Sequence, residues 1–154
     1  MFRGHHSHTV DTKGRVSIPS GYRMEIQRRS EHAPIVTTGI TNANECLWLY
    51  PYEDWCELEE RIVNLAPSNL DVQSYARYLI SGAHECPIDG QGRMLLPLEL
   101  RDHAKLERDV TIAGAGKHIE MWNAEQYAED RAKTHARLPE IASLVAKLEL
   151  ELGN

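Results

Sequence analysis

The sequence predicts an α+β fold made of two copies of one short unit, with helices between and after them. Three observations indicate this: a short motif occurs twice, apolar residues alternate beside it, and apolar residues at helical spacing fill the remaining segments. The first motif, Asp11–Pro19, reads DTKGRVSIP, and the second, Asp89–Pro97, reads DGQGRMLLP. Aspartate, glycine, arginine and proline match in position, and a further arginine follows each motif, Arg23 or Arg101.

A second pair of matching segments follows the motifs in the same order. Leu47–Trp55 reads LWLYPYEDW and Ile119–Tyr127 reads IEMWNAEQY, with two aromatic residues five positions apart in each. Two matching blocks in one order indicate a duplicated unit of about 45 residues, which is too small to bury a core alone. Two copies packed together would form that core.

We expect four segments along the chain. These are a first repeat over residues 5–54, a helical linker over 55–82, a second repeat over 83–126 and C-terminal helices over 127–154. Each repeat is expected to hold a hairpin, a short helix and two further strands. The predicted ranges are hairpin strands over 5–10 and 15–18, helices over 20–28 and 98–105, and later strands over 35–39, 46–50, 109–113 and 117–122.

The Asp-x-x-Gly sequence in each motif predicts a tight turn. The carboxylates of Asp11 and Asp89 can accept the backbone N–H two residues further on. Gly14 and Gly92 suit a position that needs positive φ, as in a three-residue hairpin loop with a bulge. We expect these residues, with Arg93, to shape the loops. An acid–base pair formed by the two aspartates is the alternative.

Apolar residues at helical spacing predict two helices in the linker. The two stripes are Trp55, Leu58, Ile62 and Leu65, and then Val72, Ala76, Leu79 and Ala83. We expect Pro67 to end the first helix, Ser68 to cap the second and Gly82 to end it.

The C-terminal segment shows the same spacing. Asn123 is expected to cap a helix in a capping box with Gln126, and Pro139 to interrupt it. The last apolar stripe is Ile141, Leu144, Val145, Leu148 and Leu152. Such a stripe either docks on the body of the protein or meets another subunit, and the pattern is compatible with both.

Composition excludes several classes of protein. Hydrophobic residues make up 42% and charged residues 26%, which is typical of a globular chain rather than a disordered one. No apolar run is long enough for a membrane span, and the first residues lack the apolar region of a secretory signal. Cys46, Cys56 and Cys86 are odd in number and widely spaced. We therefore expect no disulfide framework, no cysteine zinc site and a reducing, cytoplasmic location.

Charge is distributed unevenly along the chain. The whole sequence carries a net charge of −6. A nucleic-acid binder is usually basic, so the overall charge alone argues against that function. Residues 1–29, however, carry +4, whereas residues 30–154 carry −10. A basic N-terminal segment on an acidic body indicates a specialised contact surface.

Other constellations have simple structural explanations. His5, His6 and His8 lack a carboxylate or cysteine at ligand spacing, so surface histidines are favoured over a metal site; protonated below about pH 6.5, they could strengthen phosphate binding. The glycine pair at Gly114 and Gly116 lacks phosphate-loop spacing and predicts a turn. The tryptophans lie in apolar patterns and are expected in the core rather than stacked on bases; they are Trp48, Trp55 and Trp122. We predict no catalytic residue, metal or cofactor.

Together these residues resemble the MraZ family of bacterial transcriptional regulators, whose halves belong to the SpoVT-AbrB, or swapped-hairpin, class. The likeness covers about residues 1–127. It is carried by Met1–Gly4, both Asp-x-x-Gly-Arg loops, Leu49–Pro51 and Ile119–Trp122. The resemblance implies swapped-hairpin half-barrels packed around a pseudo-twofold axis.

The resemblance also implies a function. It implies a cytoplasmic, nucleoid-associated protein that binds double-stranded DNA and forms ring-like homo-oligomers, with no membrane or small-molecule partner. The implied target is a set of tandem repeats upstream of the division and cell-wall gene cluster, including the regulator's own gene.

The residues support a DNA-binding interpretation of the first loop. A two-stranded ribbon fits the major groove, and Arg3, Lys13 and Arg15 are the expected DNA contacts. In the second loop Gln91 replaces the lysine, and residues 85–107 carry a net charge of −2. We therefore expect the first loop to read DNA and the second to be architectural or intersubunit.

Three alternatives stay open at this point. Arg15 is either a DNA contact or the partner of Asp11 in a solvated ion pair, which is also the expected role of Arg93. The whole chain is either a DNA-binding regulator or an oligomeric assembly protein without specific DNA binding. An enzyme that uses the duplicated aspartate and arginine loops is the third possibility, although no nucleophile motif is present.

Overall fold

A computed structural model describes residues 1–39 and 45–153, and it confirms the α+β class. In chain order the elements are β1 (His5–Thr9), β2 (Arg15–Ser17), α1 (Ser20–Arg29), β3 (Ile35–Gly39), β4 (Cys46–Tyr50), α2 (Tyr52–Leu65), α3 (Leu70–Ser81), β5 (His84–Glu85), β6 (Arg93–Leu95), α4 (Leu98–His103), β7 (Asp109–Gly114), β8 (Ile119–Asn123), α5 (Ala124–Ala136) and α6 (Leu138–Leu152). Most predicted elements are present within a few residues of their expected ends. Helix α4 stops at His103 rather than at position 105.

The main sheet has six strands in the order β1-β7-β8-β4-β3-β5, and each neighbouring pair is antiparallel. The central pair, β4 and β8, takes one strand from each repeat. At each side the outer strand comes from the other repeat, because β1 pairs with β7 and β5 pairs with β3. Neither repeat therefore completes its part of the sheet with its own strands.

The sequence predicts that the two strands flanking the first loop pair with each other, and this prediction is wrong. Strand β1 pairs with β7, and β2 pairs with β6 of the second repeat, with Val16 opposite Met94. Between β1 and β2, the described residues show one isolated bridge, Val10 to Val16. The strands diverge because Val16 and Ile18 are buried, at 1% and 2% exposure, in the core between the repeats.

That core lies on one face of the sheet and includes residues of both repeats. From the first repeat, α1 contributes Tyr22 and Ile26. From the second, α4 contributes Leu100, which is fully buried, and β7 contributes Ile112. Shared burial of this kind supplies the hydrophobic free energy that one short unit lacks.

The two linker helices cover a second, smaller cluster. Trp55 and Ile62 of α2 and Leu79 of α3 are buried against Ile35 and Tyr50 of the sheet. Leu79 also accepts a hydrogen bond at its carbonyl from the Thr37 hydroxyl, at 2.8 Å. The predicted apolar stripes supply the buried and partly buried residues of this cluster, except that Leu65 at the end of α2 is exposed and Val72 of α3 is partly buried outside it.

The N-terminus of α3 corrects one prediction. Asn69, not Ser68, is the capping residue, and its Oδ1 accepts hydrogen bonds from Asp71 N at 2.9 Å and Val72 N at 3.2 Å. The helix begins at Leu70, which places asparagine at the cap position, where its short side chain reaches the free backbone N–H groups. Gly82 ends the helix as predicted.

Residues Glu125–Asn154 form a compact unit distinct from Met1–Ala124. Helix α5 ends at Ala136, and Pro139 lies in the first turn of α6, as its fixed φ favours. The predicted α6 stripe is solvent-exposed, with Leu144, Val145 and Leu148 about half accessible. In the part of the chain that the structure describes, no helix has the length and apolar character needed to cross a membrane.

The carboxylate of Glu25 is the centre of an ion-pair group on α1. It accepts hydrogen bonds from Arg28 Nη2 at 2.8 Å and Arg29 Nε at 3.0 Å, and the amino group of Met1 lies 3.4 Å away. Arg29 also contacts Asp54 at 2.8 Å, which joins α1 to α2. The hydrogen bond from Arg28, followed by its charge, lowers the pKa of Glu25 to about 2 from the ordinary value of 4.5.

We expect the free energy of unfolding to fall as pH decreases from about 4.5 towards 2. A depressed folded-state pKa stabilises the protein above the unfolded pKa, and that contribution is lost as Glu25 is protonated. Urea titrations at pH 6 and pH 3 should show a smaller pH difference for Glu25→Gln than for the wild type. Glu60→Gln, at an exposed position of α2, is the control. An unchanged pH difference in Glu25→Gln would contradict this prediction.

Candidate nucleic-acid interface

The first loop, Asp11–Arg15, is closed by its own aspartate. Backbone hydrogen bonds run from Asp11 N to the Arg15 carbonyl at 2.9 Å and from Gly14 N to the Asp11 carbonyl at 3.0 Å. Asp11 Oδ1 accepts from the N–H groups of Lys13 and Arg15, both at 2.9 Å. The Arg15 N–H is the main reason that the pKa of Asp11 lies below its ordinary value. The carboxylate therefore holds the turn in its ionised form.

The second loop, Asp89–Arg93, repeats this geometry. Asp89 N donates to the Arg93 carbonyl at 2.8 Å, and Asp89 Oδ1 accepts from Gln91 N at 2.9 Å and Arg93 N at 3.0 Å. The backbone N–H of Arg93 is the main cause of the lowered pKa of Asp89. Gly14 and Gly92 have φ of 84° and 78°, so the predicted left-handed position is present in both loops.

The loops differ in the side chains that they present. Lys13 is exposed at the tip of the first loop, and Gln91 takes the matching position in the second. Arg15 donates from Nε to Asp11 Oδ2 at 2.9 Å, whereas Arg93 Nε lies 3.5 Å from Asp89 Oδ2. A guanidinium has five N–H donors, so the Asp11 contact leaves Arg15 able to donate to a further acceptor.

Arg3 is exposed, and its backbone is held in place by the segment around it. The Tyr22 hydroxyl lies 2.6 Å from the Arg3 carbonyl and 2.7 Å from the Gly4 carbonyl. Phe2, only 2% exposed, bridges to Gly116, and its N–H donates to the Gly116 carbonyl at 2.7 Å. The turn predicted at the glycine pair is confirmed, and it receives the backbone of the N-terminal segment.

The arginine that follows each motif reaches the loop of the other repeat. A Cβ at Gly14 would lie 2.7 Å from Arg101 Cζ, and a Cβ at Gly92 would overlap the guanidinium of Arg23. Backbone hydrogen bonds link the two repeats in the same reciprocal way. Leu96 N donates to the Gly14 carbonyl at 3.0 Å, and Ile18 N donates to the Gly92 carbonyl at 2.9 Å. The matched positions of the two arginines were the only signal of this contact in the sequence.

The histidines and tryptophans that the sequence analysis considered as metal ligands or base contacts mainly pack against other residues. His6 packs edge-on against Tyr22 with ring centroids 5.2 Å apart, and burial, followed by the charge of His6, lowers the pKa of His8. Among the described residues, no group of three or more histidine, cysteine, aspartate or glutamate side chains could hold a metal ion. Trp55 and Trp122 are buried as predicted, and Trp48 is half-buried.

Fold and loops together define a class: an α+β chain with an antiparallel main sheet and two matched Asp-x-x-Gly-Arg loops. A family model described as "MraZ protein, putative antitoxin-like" matches residues 1–73 and 79–143. The chain belongs to this MraZ family. The match continues beyond the residues that carry the resemblance in the sequence and includes part of α6.

Individual relatives are similar in sequence over nearly the whole chain. A protein of Alkaliphilus oremlandii named transcriptional regulator MraZ is 39% identical over 148 residues, which cover 96% of this chain and 99% of the relative. Proteins of the same name from Thermoanaerobacter pseudethanolicus and Heliobacterium modesticaldum are each 37% identical over 150 residues, or 97% of this chain and 100% of each relative.

Proposed function

We propose that this chain is a sequence-specific DNA-binding transcriptional regulator and not an enzyme; its relatives are named transcriptional regulators. One observation carries the proposal: an exposed lysine and a partly exposed arginine, Lys13 and Arg15, lie on a hydrogen-bonded loop within the basic N-terminal segment. A cation at a fixed position can both anchor a phosphate and contact a base edge. The two aspartates already accept backbone N–H groups, which supports a shaping role rather than catalysis.

The proposed architecture is a duplicated swapped-hairpin fold around a pseudo-twofold axis. The exchange of β1 and β5 supports it, as does the reciprocal bonding of the two loops. The proposed repeats span residues 5–54 and 83–126, with the helical linker over 55–82 and C-terminal helices over 127–154.

Within this architecture, the first loop reads DNA with Lys13 and Arg15, and Arg3 adds a phosphate contact. The second loop is architectural or intersubunit. Their backbones match closely, so the difference lies in the side chains, above all in Gln91 opposite Lys13. The Asp11–Arg15 ion pair fits this role, because it fixes the direction of the arginine before DNA arrives and so lowers the cost of ordering it.

One loop with a few cations binds weakly, at about 10⁻⁴ to 10⁻⁶ M in physiological salt. A ring-like homo-oligomer that presents several loops to successive repeats would raise the avidity by about 10²- to 10⁴-fold. Tandem repeats in the DNA would suit such an assembly. Their proposed place, upstream of the division and cell-wall gene cluster including the regulator's own gene, is what the family resemblance implies. The proposed location is the cytoplasm, in association with the nucleoid.

Binding to the upstream DNA should fall steeply with salt and with the removal of one repeat. The measurement is a titration of the full-length protein on upstream DNA, on the same DNA lacking a repeat, and on a scrambled sequence, at 50 to 200 mM salt. Equal affinity for all three DNAs would overturn the proposal and favour an assembly protein without specific DNA binding. Turnover of an ester or phosphate substrate that Asp89→Asn abolishes would instead indicate an enzyme.

A further inference from the structure

We infer that Arg101, in the acidic second repeat, is a positioning residue for the DNA-reading first loop. The inference rests on the proposed function, because it assigns a role relative to the contacts of Lys13 and Arg15. The inference also applies to the protein without DNA, because it assigns to Arg101 the support of the loop backbone at Gly14.

The contact is a close approach of the guanidinium to the loop backbone. A Cβ at Gly14 would lie 2.7 Å from Arg101 Cζ and 2.8 Å from its Nε and Nη2. The guanidinium is itself fixed, because Nε donates to the Leu96 carbonyl at 2.9 Å. Leu96 N donates to the Gly14 carbonyl at 3.0 Å. Gly14 thus lies against one side chain and accepts a hydrogen bond from one backbone N–H, both from the other repeat.

This support acts on both proposed DNA contacts at once. Lys13 and Arg15 are the two neighbours of Gly14, so a shift of the glycine moves both side chains. Strand β2 begins at Arg15 and pairs with β6, which leads towards Leu96. The direction of the first loop is therefore set largely by the second repeat, even though that repeat supplies no cation at its own loop tip.

Arg23 provides a matched control within the chain. It occupies the equivalent position in the first repeat and approaches Gly92 of the second loop in the same way. Its Nε is buried without a hydrogen-bond partner among the described residues, whereas Arg101 Nε is bonded. Replacing either arginine removes a guanidinium that lies against the loop glycine of the other repeat, but only Arg101 lies against the loop proposed to read DNA.

The test compares Arg101→Met with Arg23→Met in full-length protein. Methionine keeps most of the apolar stem and removes the planar, hydrogen-bonding head. We expect Arg101→Met to weaken binding to upstream DNA about tenfold, within the range of one misplaced base contact. Arg23→Met should change the affinity less than about threefold, with similar melting temperatures for both variants.

The salt dependence separates positioning from direct contact. Loss of a direct phosphate contact would make the slope of log affinity against log salt shallower by about 0.9. For Arg101→Met we expect an unchanged slope, and a double variant with Arg15→Ala should lose less affinity than the two single losses combined. Equal weakening by both methionine variants, or a shallower slope for Arg101→Met, would overturn the inference.

Amide hydrogen exchange gives a readout that needs no DNA. The N–H groups of Lys13 and Arg15 both donate to Asp11 Oδ1, so their exchange reports the loop directly. They should exchange faster in Arg101→Met and not in Arg23→Met. If the wild type has no preference for upstream DNA, the proposed function fails, and this exchange still decides the positioning role. Unchanged exchange in Arg101→Met would refute it.

Discussion

Replacing Lys13 and Arg15 together by alanine should lower the affinity for upstream DNA by about a hundredfold or more. Both cations are lost from the proposed reading loop, and in the proposed ring the loss would recur in every subunit. Gln91→Ala with Arg93→Ala is the matched control, since it alters the same two positions of a loop with the same backbone geometry. That control should change the affinity by less than about threefold.

The measurement is a footprint of upstream DNA with each double variant, supported by fluorescence titration at fixed salt. Arg15→Ala alone leaves Asp11 without its side-chain partner, so its effect on the loop must be separated from its effect on DNA. Lys13→Ala serves that purpose, because only the backbone N–H of Lys13 bonds to Asp11. Comparable losses in the two loops would show that both read DNA and would remove the proposed asymmetry.

Gly114→Ala should destabilise the protein by roughly 2–4 kcal/mol, the range of a lost buried contact together with its hydrogen bonds. An added Cβ would overlap the backbone of Phe2 and Arg3. Moving that segment breaks the 2.8 Å hydrogen bond from Gly114 N to the Gly4 carbonyl and uncovers the Phe2 ring. Backbone atoms cannot move aside as the end of a flexible side chain can, so removing this overlap costs stability.

The measurement is urea-induced unfolding, and Gly21→Ala is the control. Gly21 lies in α1, and an added Cβ there meets nothing within 4 Å. Alanine at that helical site should raise the free energy of unfolding by about 0.5–1 kcal/mol. A Gly114→Ala protein as stable as the wild type would show that the N-terminal segment does not pack as described.

The loops were predictable from sequence because their interactions are local. Asp11 and Gly14 bond to groups within four residues of one another, and the second copy confirmed the pattern by repeating it. The strand partners were not predictable in the same way. Alternation beside a turn indicates a strand, but it does not say that β2 pairs with β6 or β1 with β7, which depends on burial between distant segments.

The candidate site shows the same division. Charge and spacing alone placed Lys13 and Arg15 on a turn. Composition could not reveal that Arg101 approaches Gly14, because this contact needs both repeats to be folded together. Nor could the pattern choose between Ser68 and Asn69, two adjacent residues with side chains suited to capping, since the choice depends on where the first helical turn closes.

The pairing of β1 with β7 has a consequence for synthesis on the ribosome. Strand β1 is translated about a hundred residues before its partner, Asp109–Gly114. The backbone N–H and C=O groups of β1 therefore lack these partners until β7 has been made. The sequence of that strand, HHSHT, is polar, so the unpaired strand has a low tendency to aggregate with other chains before β7 is available. The native sheet should consequently form only after β7 has left the exit tunnel.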